Sequence, residues 1–282
     1  MINPYSYKPT PEFRRRQRES LTKLMFGVEL ECDGGPIEKR NPTSDKINDL
    51  TDRIYCKRDG SLVSGFEMVS HPCTLAYHMY DMPWNGITNK CKKAGFTSHD
   101  AGTCGLHIHV GREQLGATED ERDIVIRKVI VIVNRYWDEL VKYTRRRRAE
   151  LNQWASRNDI GDYTTDMEIT DAWAARRIPT HDNFDNRRYH AINCQNRGTI
   201  EFRIFRGTLK RDTLIAAIQL VSNICEYAMA KSWDEIQHGT WLDVCRYRNY
   251  NENDAYLTAK GLAPACDRVY NTQRNVDFNG RS

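Results

Sequence analysis

Four short segments alternate apolar residues with chemically loaded ones: Gly27–Glu31, Gly65–Ser70, Gly105–Val110 and Thr199–Phe205. Successive side chains of a strand point to opposite faces. Glu29 with Glu31, His107 with His109, and Glu201 with Arg203 therefore each share a face, while Val28, Leu30, Leu106, Ile108, Val110, Phe202 and Ile204 line the other. Glu67 follows the same rule in its own segment. Solvated strands favour Thr, Lys, Ser and Gln, so carboxylates, imidazoles and an arginine gathered on one face point to a site rather than to water.

The rest of the chain reads as helices and polar connectors. Ser44–Tyr55 carries Ile47, Leu50 and Ile54 at helical spacing, and 75–94 is amphipathic but interrupted by Pro83. From Thr118 to Trp154 a long helix is predicted, opened by a capping box in which Thr118 and Glu121 satisfy each other's backbone. Residues 189–194 read as a strand that forms a hairpin with the Glu201 segment, and Thr213–Lys231 reads as an apolar helix. Residues 1–22 look like a polar basic leader, partly helical from Pro11. Residues 23–240 read as one catalytic domain with a lid at 156–186, and 241–282 as a polar C-terminal extension packed on or trailing it.

Composition narrows the class. A chain of 282 residues with 39% hydrophobic content can bury about three quarters of its unfolded surface. No signal peptide is visible, and Arg127 and Lys128 interrupt the apolar stretch from Ile124 to Val133, so no membrane span is expected. Nine scattered cysteines without a Cys-x-x-Cys pair suit reduced thiols in a cytoplasmic protein. The net charge of +4 is compatible with phosphate-bearing ligands. Arg14–Arg16 with Arg18, and Arg145–Arg148, are read as solvated helix surface rather than as a nucleic-acid interface, because consecutive helical residues fan around the axis.

Carboxylates, histidine and arginine together suit Mg²⁺ or Mn²⁺ and a phosphoryl donor better than zinc hydrolysis. There is no P-loop. Cys104 has no partner that would make it a nucleophile.

The order of these motifs resembles the amidoligases, relatives of glutamate–cysteine ligase and glutamine synthetase. The matching pieces are Phe26–Glu31, Asp59–Leu62 with Phe66–Pro72, Cys104–Gly111, and Arg188–Asn193 with Thr199–Leu209, covering about residues 25–225. The resemblance implies an α+β fold: a curved antiparallel sheet forming a partial barrel, with helices packed on its outer face. It implies an ATP-dependent carboxylate–amine ligase that forms an amide through an acyl phosphate on an amino acid, peptide or protein carboxylate, using an amine donor. Carried over by motif, Glu29, His107 and Glu201 would hold the nucleotide-side cation, and Glu31 and Glu67 the substrate-side cation. His109 would meet the nucleotide phosphates, and Arg203 would offset charge on the transferred phosphoryl group. Arg188, Asn193 and Arg206 are candidate phosphate or carboxylate contacts, and Asp59 could orient the amine or simply make an Asp-Gly turn.

Three other functions fit parts of the pattern. A phosphotransferase of the same superfamily would stop at a phosphorylated product. A nucleic-acid or protein-binding module would keep the sheet without catalysis, and would take up no nucleotide with metal. A metal-dependent oxygenase on His107 and His109 would leave Glu29, Glu31 and Arg203 without a role.

Overall fold

A computed structural model of the protein describes residues 2–161, 168–180 and 187–264. In chain order the elements are β1 (Met25–Cys32), α1 (Ile37–Asn48), β2 (Ile54–Lys57), β3 (Phe66–Ser70), β4 (Cys73–Thr74), α2 (Leu75–Tyr80), α3 (Trp84–Ala94) and β5 (Gly105–Gly111). There follow α4 (Glu119–Arg135), α5 (Trp137–Thr144), α6 (Arg148–Trp154), α7 (Asp171–Arg177), β6 (Ile192–Asn193), β7 (Thr199–Arg206), α8 (Arg211–Ala230), α9 (Trp233–His238), α10 (Trp241–Cys245) and α11 (Asn251–Ala259). The chain is thus mixed α and β, and the strand pairings β1–β3, β1–β4, β2–β3 and β6–β7 are antiparallel. It divides into two compact units, residues 1–109 with 205–215, and residues 110–204 with 216–282.

In the first unit the strand order is β2-β3-β1-β5, with β4 also paired to β1. The apolar half of the alternation is buried as the sequence requires: Val28, Leu30, Leu106 and Ile108 are closed off from water together with Phe66, Met68, Ile47, Ile87 and Cys91. Phe66 meets Phe96 edge to face at 5.4 Å. One close approach fixes the end of β3. A Cβ on Gly65 would lie 1.8 Å from the Cys32 carbonyl oxygen, so β3 can reach β1 at this point only with glycine.

Several expectations are corrected. The helix expected at Ser44–Tyr55 is α1, which begins seven residues earlier and runs through Pro42, while Ile54 is claimed by β2 through its pairing with Ser70. Burial of the apolar Ile47 side chain favours the helix despite the backbone hydrogen bond that Pro42 cannot make. The leader is not helical near Pro11: Asn3 bridges to Lys57 and Arg14 to Cys73, so the segment runs along strand edges and covers open backbone groups there. Pro83 does divide 75–94 into α2 and α3.

In the second unit the Thr118 capping box is present. The long helix expected after it is broken twice. Tyr136 leaves the helical region where its buried hydroxyl donates to the Gly239 carbonyl at 2.7 Å, and Arg145 adopts φ 57°, left-handed for a residue with a Cβ. The Arg145–Arg148 cluster is consequently not a helical collar. Arg145–Arg147 form the α5–α6 connection, and Arg146 is buried with its guanidinium donating to the Arg203 carbonyl at 2.5 Å. The strand expected over 189–194 shortens to β6, preceded by a 3-10 turn at Arg187–Tyr189. The expected lid contains α7, and the rest of its middle, 162–167 and 181–186, lies outside the described residues.

Buried polar groups tie this unit together. Arg112 donates to the carbonyls of Thr180, Cys194, Asn196 and Thr199. Asn253 of α11 accepts from the Tyr143 hydroxyl at 3.0 Å and donates to Cys245 at 2.7 Å. Contrary to expectation, α8 is long and apolar enough by composition to cross a membrane, with 78% of its most apolar window buried inside the protein. That burial is what a core helix requires. Among the described residues the eight cysteines are buried and no disulfide is present.

Gly65→Ala is expected to destabilise the fold by about 1–3 kcal/mol or more, because the clash is with backbone and not with a flexible side chain. Urea unfolding checks this, and an unchanged midpoint would contradict the close approach.

Candidate functional site

The register of the first unit's sheet aligns its loaded side chains in rows. Glu31 of β1 stands directly opposite Glu67 of β3, and Glu67 directly opposite Lys57 of β2. The row continues into β5, where the Gly105 amide donates to the Glu31 carboxylate at 2.5 Å. One step along the sheet, Glu29 and Tyr55 both pair with Val69. Here β5 supplies two imidazoles: His107 Nδ1 lies 3.3 Å and His109 Nε2 3.2 Å from the Glu29 carboxylate. Strand alternation and pairing thus place Glu29, Glu31, Glu67, His107 and His109 on one face.

Asp59 joins them from the turn after β2. Its carboxylate accepts from the Ser61 amide at 2.7 Å and from the Ser61 hydroxyl at 2.5 Å, a local Asx turn. A carboxylate oxygen of Asp59 also lies within 4.8 Å of ligand atoms of Glu31 and Glu67, and a second such group comprises Glu29, Glu67 and His107. The turn and the site readings of Asp59 are compatible in one side chain. Glu67 belongs to both groups.

Electrostatics separate the carboxylates. Burial pushes Glu67 well above the usual carboxylate range, helped by the charges of Glu29 and Glu31 and opposed by Lys57, whose Nζ is 3.0 Å away. At Glu29 burial pushes the same way. There it is outweighed by the charge of His109 and by hydrogen bonds from His107 and His109, which hold the group well below that range. Like charges directly opposite across a strand pair are unfavourable, and one ammonium faces four carboxylates. A divalent cation relieves this crowding with the oxygen and imidazole donors that Mg²⁺ or Mn²⁺ accept, so the residues present fit such a cation.

Glycine at position 105 leaves room for the His107 ring. A Cβ on Gly105 would come within 2.8 Å of His107 Nε2 and 3.5 Å of Glu31 Oε2, whereas at Gly27 it would make only ordinary contact with His109.

In the second unit, Asn193 and Glu201 are paired across β6–β7, and the Asn193 amide donates to the Glu201 carboxylate at 2.7 Å. Arg203 Nη1 donates to the other oxygen of Glu201 at 2.5 Å, and its Nε donates to the Trp154 carbonyl at 3.2 Å. The ring of Tyr189 lies 5.9 Å from the Arg203 guanidinium and 6.0 Å from that of Arg188. Trp154 packs edge-on to the same ring at 5.4 Å. Asn193, Glu201 and Arg203 therefore form one buried hydrogen-bonded group, with exposed Arg188 beside its aromatic wall. Arg206 falls in phase with Phe202 and Ile204, so the pleat of β7 turns it to the face opposite Glu201 and Arg203.

Sequence reasoning missed Lys57, Asp33 and Arg146. Lys57 alternates with Tyr55 on the loaded face, which a strand reading of 54–57 would have revealed. Asp33 accepts from the Val63 and Ser64 amides at 2.9 and 2.8 Å and from the Thr103 hydroxyl at 2.9 Å, and so shapes the loop between Asp59 and Glu67. Burial works to raise the Asp33 carboxyl, but those donors prevail and lower it. Nothing local in the sequence marks Arg146.

A family model described as "Putative amidoligase enzyme" matches residues 38–225, two thirds of the chain. The chain belongs to this amidoligase family. The amidoligase match takes in Asp59, Glu67, His107, His109, Glu201 and Arg203, while Glu29 and Glu31 precede it. Among solved structures, the fold is similar to one titled as the complex between the prokaryotic ubiquitin-like protein Pup and its ligase PafA, with 10% sequence identity and a TM-score of 0.36. The similarity covers 77% of this chain and 50% of that one, so this amidoligase spans about half the length of its structural neighbour. No curated protein matches the chain.

The folded pKa of Glu29 lies below the unfolded value of about 4.3, so its stabilisation is present above that value and lost as pH falls through the folded one. Glu29→Gln is therefore expected to cost stability near neutrality, with a gap from wild type that narrows on acidification. Urea titrations between about pH 6 and pH 3 measure the gap, and one that widens would reverse the assignment.

Proposed function

We propose that this amidoligase is an ATP-dependent carboxylate–amine ligase that uses Mg²⁺ or Mn²⁺ and passes through an acyl phosphate on its substrate. The observation that supports it most directly is the opposed pair Glu31 and Glu67, with Glu29, His107 and Asp59 around them, within a chain of this family. In this reading the sheet belongs to the partial-barrel architecture of glutamine synthetase and glutamate–cysteine ligase. The substrates are an amino acid, peptide or protein carboxylate and an amine.

The chain's own residues divide the work. Glu29, His107, Glu31 and Glu67 would hold divalent cations, whose chemistry is to neutralise charge on the nucleotide phosphates and on the acyl phosphate. Glu201 is a further candidate ligand, oriented by Asn193. His109, 3.2 Å from Glu29, would contact the nucleotide phosphates. Arg203, locked between Glu201, the Trp154 carbonyl and the Tyr189 ring, presents a pre-oriented positive charge for the transferred phosphoryl group. Asp59, held by Ser61, would accept a proton from the attacking amine, whose lone pair displaces phosphate from the acyl carbon to give the amide. Arg188 is a candidate contact for the substrate carboxylate.

Incubation with ATP, Mg²⁺ and pooled amino acids and peptides should release ADP and phosphate, and yield products lighter than the sum of two reactants by one water. Glu29→Gln and Glu201→Gln should each lower ADP release by about 100-fold or more with the fold retained by circular dichroism. Transfer of ¹⁸O from labelled carboxylate to phosphate reports the acyl phosphate. Undiminished turnover in both variants, or a stable phosphorylated product without amide, would overturn the proposal.

A further inference from the structure

Lys57 is the cationic side chain that the site's geometry adds to the expected set. It occupies the β2 position opposite Glu67, with Nζ 3.0 Å from the carboxylate and both side chains nearly closed to water, at 11% and 3% exposure. The carboxylate it engages is the one common to the two donor groups of this unit, Glu29–Glu67–His107 and Glu31–Asp59–Glu67. The strand that carries the ammonium is also tied down. Asn3 bridges to Lys57, the Asn3 amide donates to the Cys56 carbonyl at 2.9 Å, the Arg58 amide donates to the Asn3 carbonyl at 2.9 Å, and the Tyr5 ring lies 5.7 Å from Nζ. The N-terminal segment thus braces the strand that brings a positive charge to the carboxylate shared by both donor groups.

We infer that Lys57 is a positioning residue that sets how many divalent cations the first unit takes up and how tightly. This rests on the cation sites of the proposed function. A divalent ion bound through Glu67 must share that carboxylate with an ammonium in ion-pair contact, and like charges at such separations repel strongly where water is scarce. Lys57 weakens cation binding in both groups, because each draws on the Glu67 carboxylate. The same charge steadies Glu67 opposite Glu31 when no cation is there, and keeps the empty site from splaying.

Lys57→Gln removes the charge and keeps a polar head, Lys57→Met keeps the length of the stem, and Lys57→Arg keeps the charge. Mn²⁺ titrations of the full chain, followed by calorimetry and by the electron paramagnetic resonance of free Mn²⁺, should show affinity rising about tenfold or more, or a second equivalent bound, in the Gln and Met variants. The Arg variant should behave like wild type. The gain should vanish in a Glu67→Gln background, since it depends on that carboxylate.

Equal or weaker Mn²⁺ binding in folded Gln or Met variants would overturn the inference and leave the ligase reading standing. A gain that persists in Glu67→Gln would overturn it too, by showing a general charge effect. Failure of every form to bind Mn²⁺ would remove both the inference and the cation sites beneath it.

Discussion

The pairing register of β2, β3 and β1 is the constraint on which the candidate chemistry depends. It sets Lys57, Glu67 and Glu31 in a single cross-strand row. Because side chains alternate with a period of two, a slip of one residue between β1 and β3 would send the Glu67 carboxylate into the apolar layer now filled by Phe66 and Met68. The greasy side of the sheet therefore enforces the charged side. Packing of Phe66 on Phe96, the closure of Gly65 on the Cys32 carbonyl and the burial of Val28, Leu30, Leu106 and Ile108 make the register costly to change. Energy from apolar burial is in this way converted into the forced proximity of like charges.

That proximity explains the opposite behaviour of two nearby glutamates. Glu67 has one ammonium against burial and two neighbouring carboxylates, and its proton is held more tightly than usual. Glu29 has two imidazoles, and its proton is held less tightly. Pairs of titratable groups driven apart by their surroundings are characteristic of sites that handle protons and cations. In the second unit the logic differs. Glu201 already accepts one hydrogen bond from Asn193 and one from Arg203, and the arginine is itself held by a carbonyl and an aromatic ring, so this group is oriented before any ligand arrives.

The amidoligase family is shown by the match over residues 38–225, and the sheet register brings the loaded side chains of the first unit together. Arg112 and Arg146 show a further use of arginine in this chain, as buried ties that satisfy backbone carbonyls between elements. Neither could be distinguished in the sequence from a solvated arginine, because the distinction lies in what packs around the guanidinium.

The sequence by itself determined the two-faced strands, the identity of their loaded residues, the Thr118 capping box and the break at Pro83. These are properties of periods of two and 3.6 and of backbone groups a few residues apart. Tertiary structure decided the rest. It assigned Ile54 to a strand, carried α1 through Pro42, bent the long helix at Tyr136 and Arg145, and brought Lys57 and Asp59 to Glu67. Each of these outcomes is set by partners distant along the chain, Ser70 for Ile54, Gly239 for Tyr136 and Glu67 for Lys57, and an interaction with a distant partner leaves no local pattern to read.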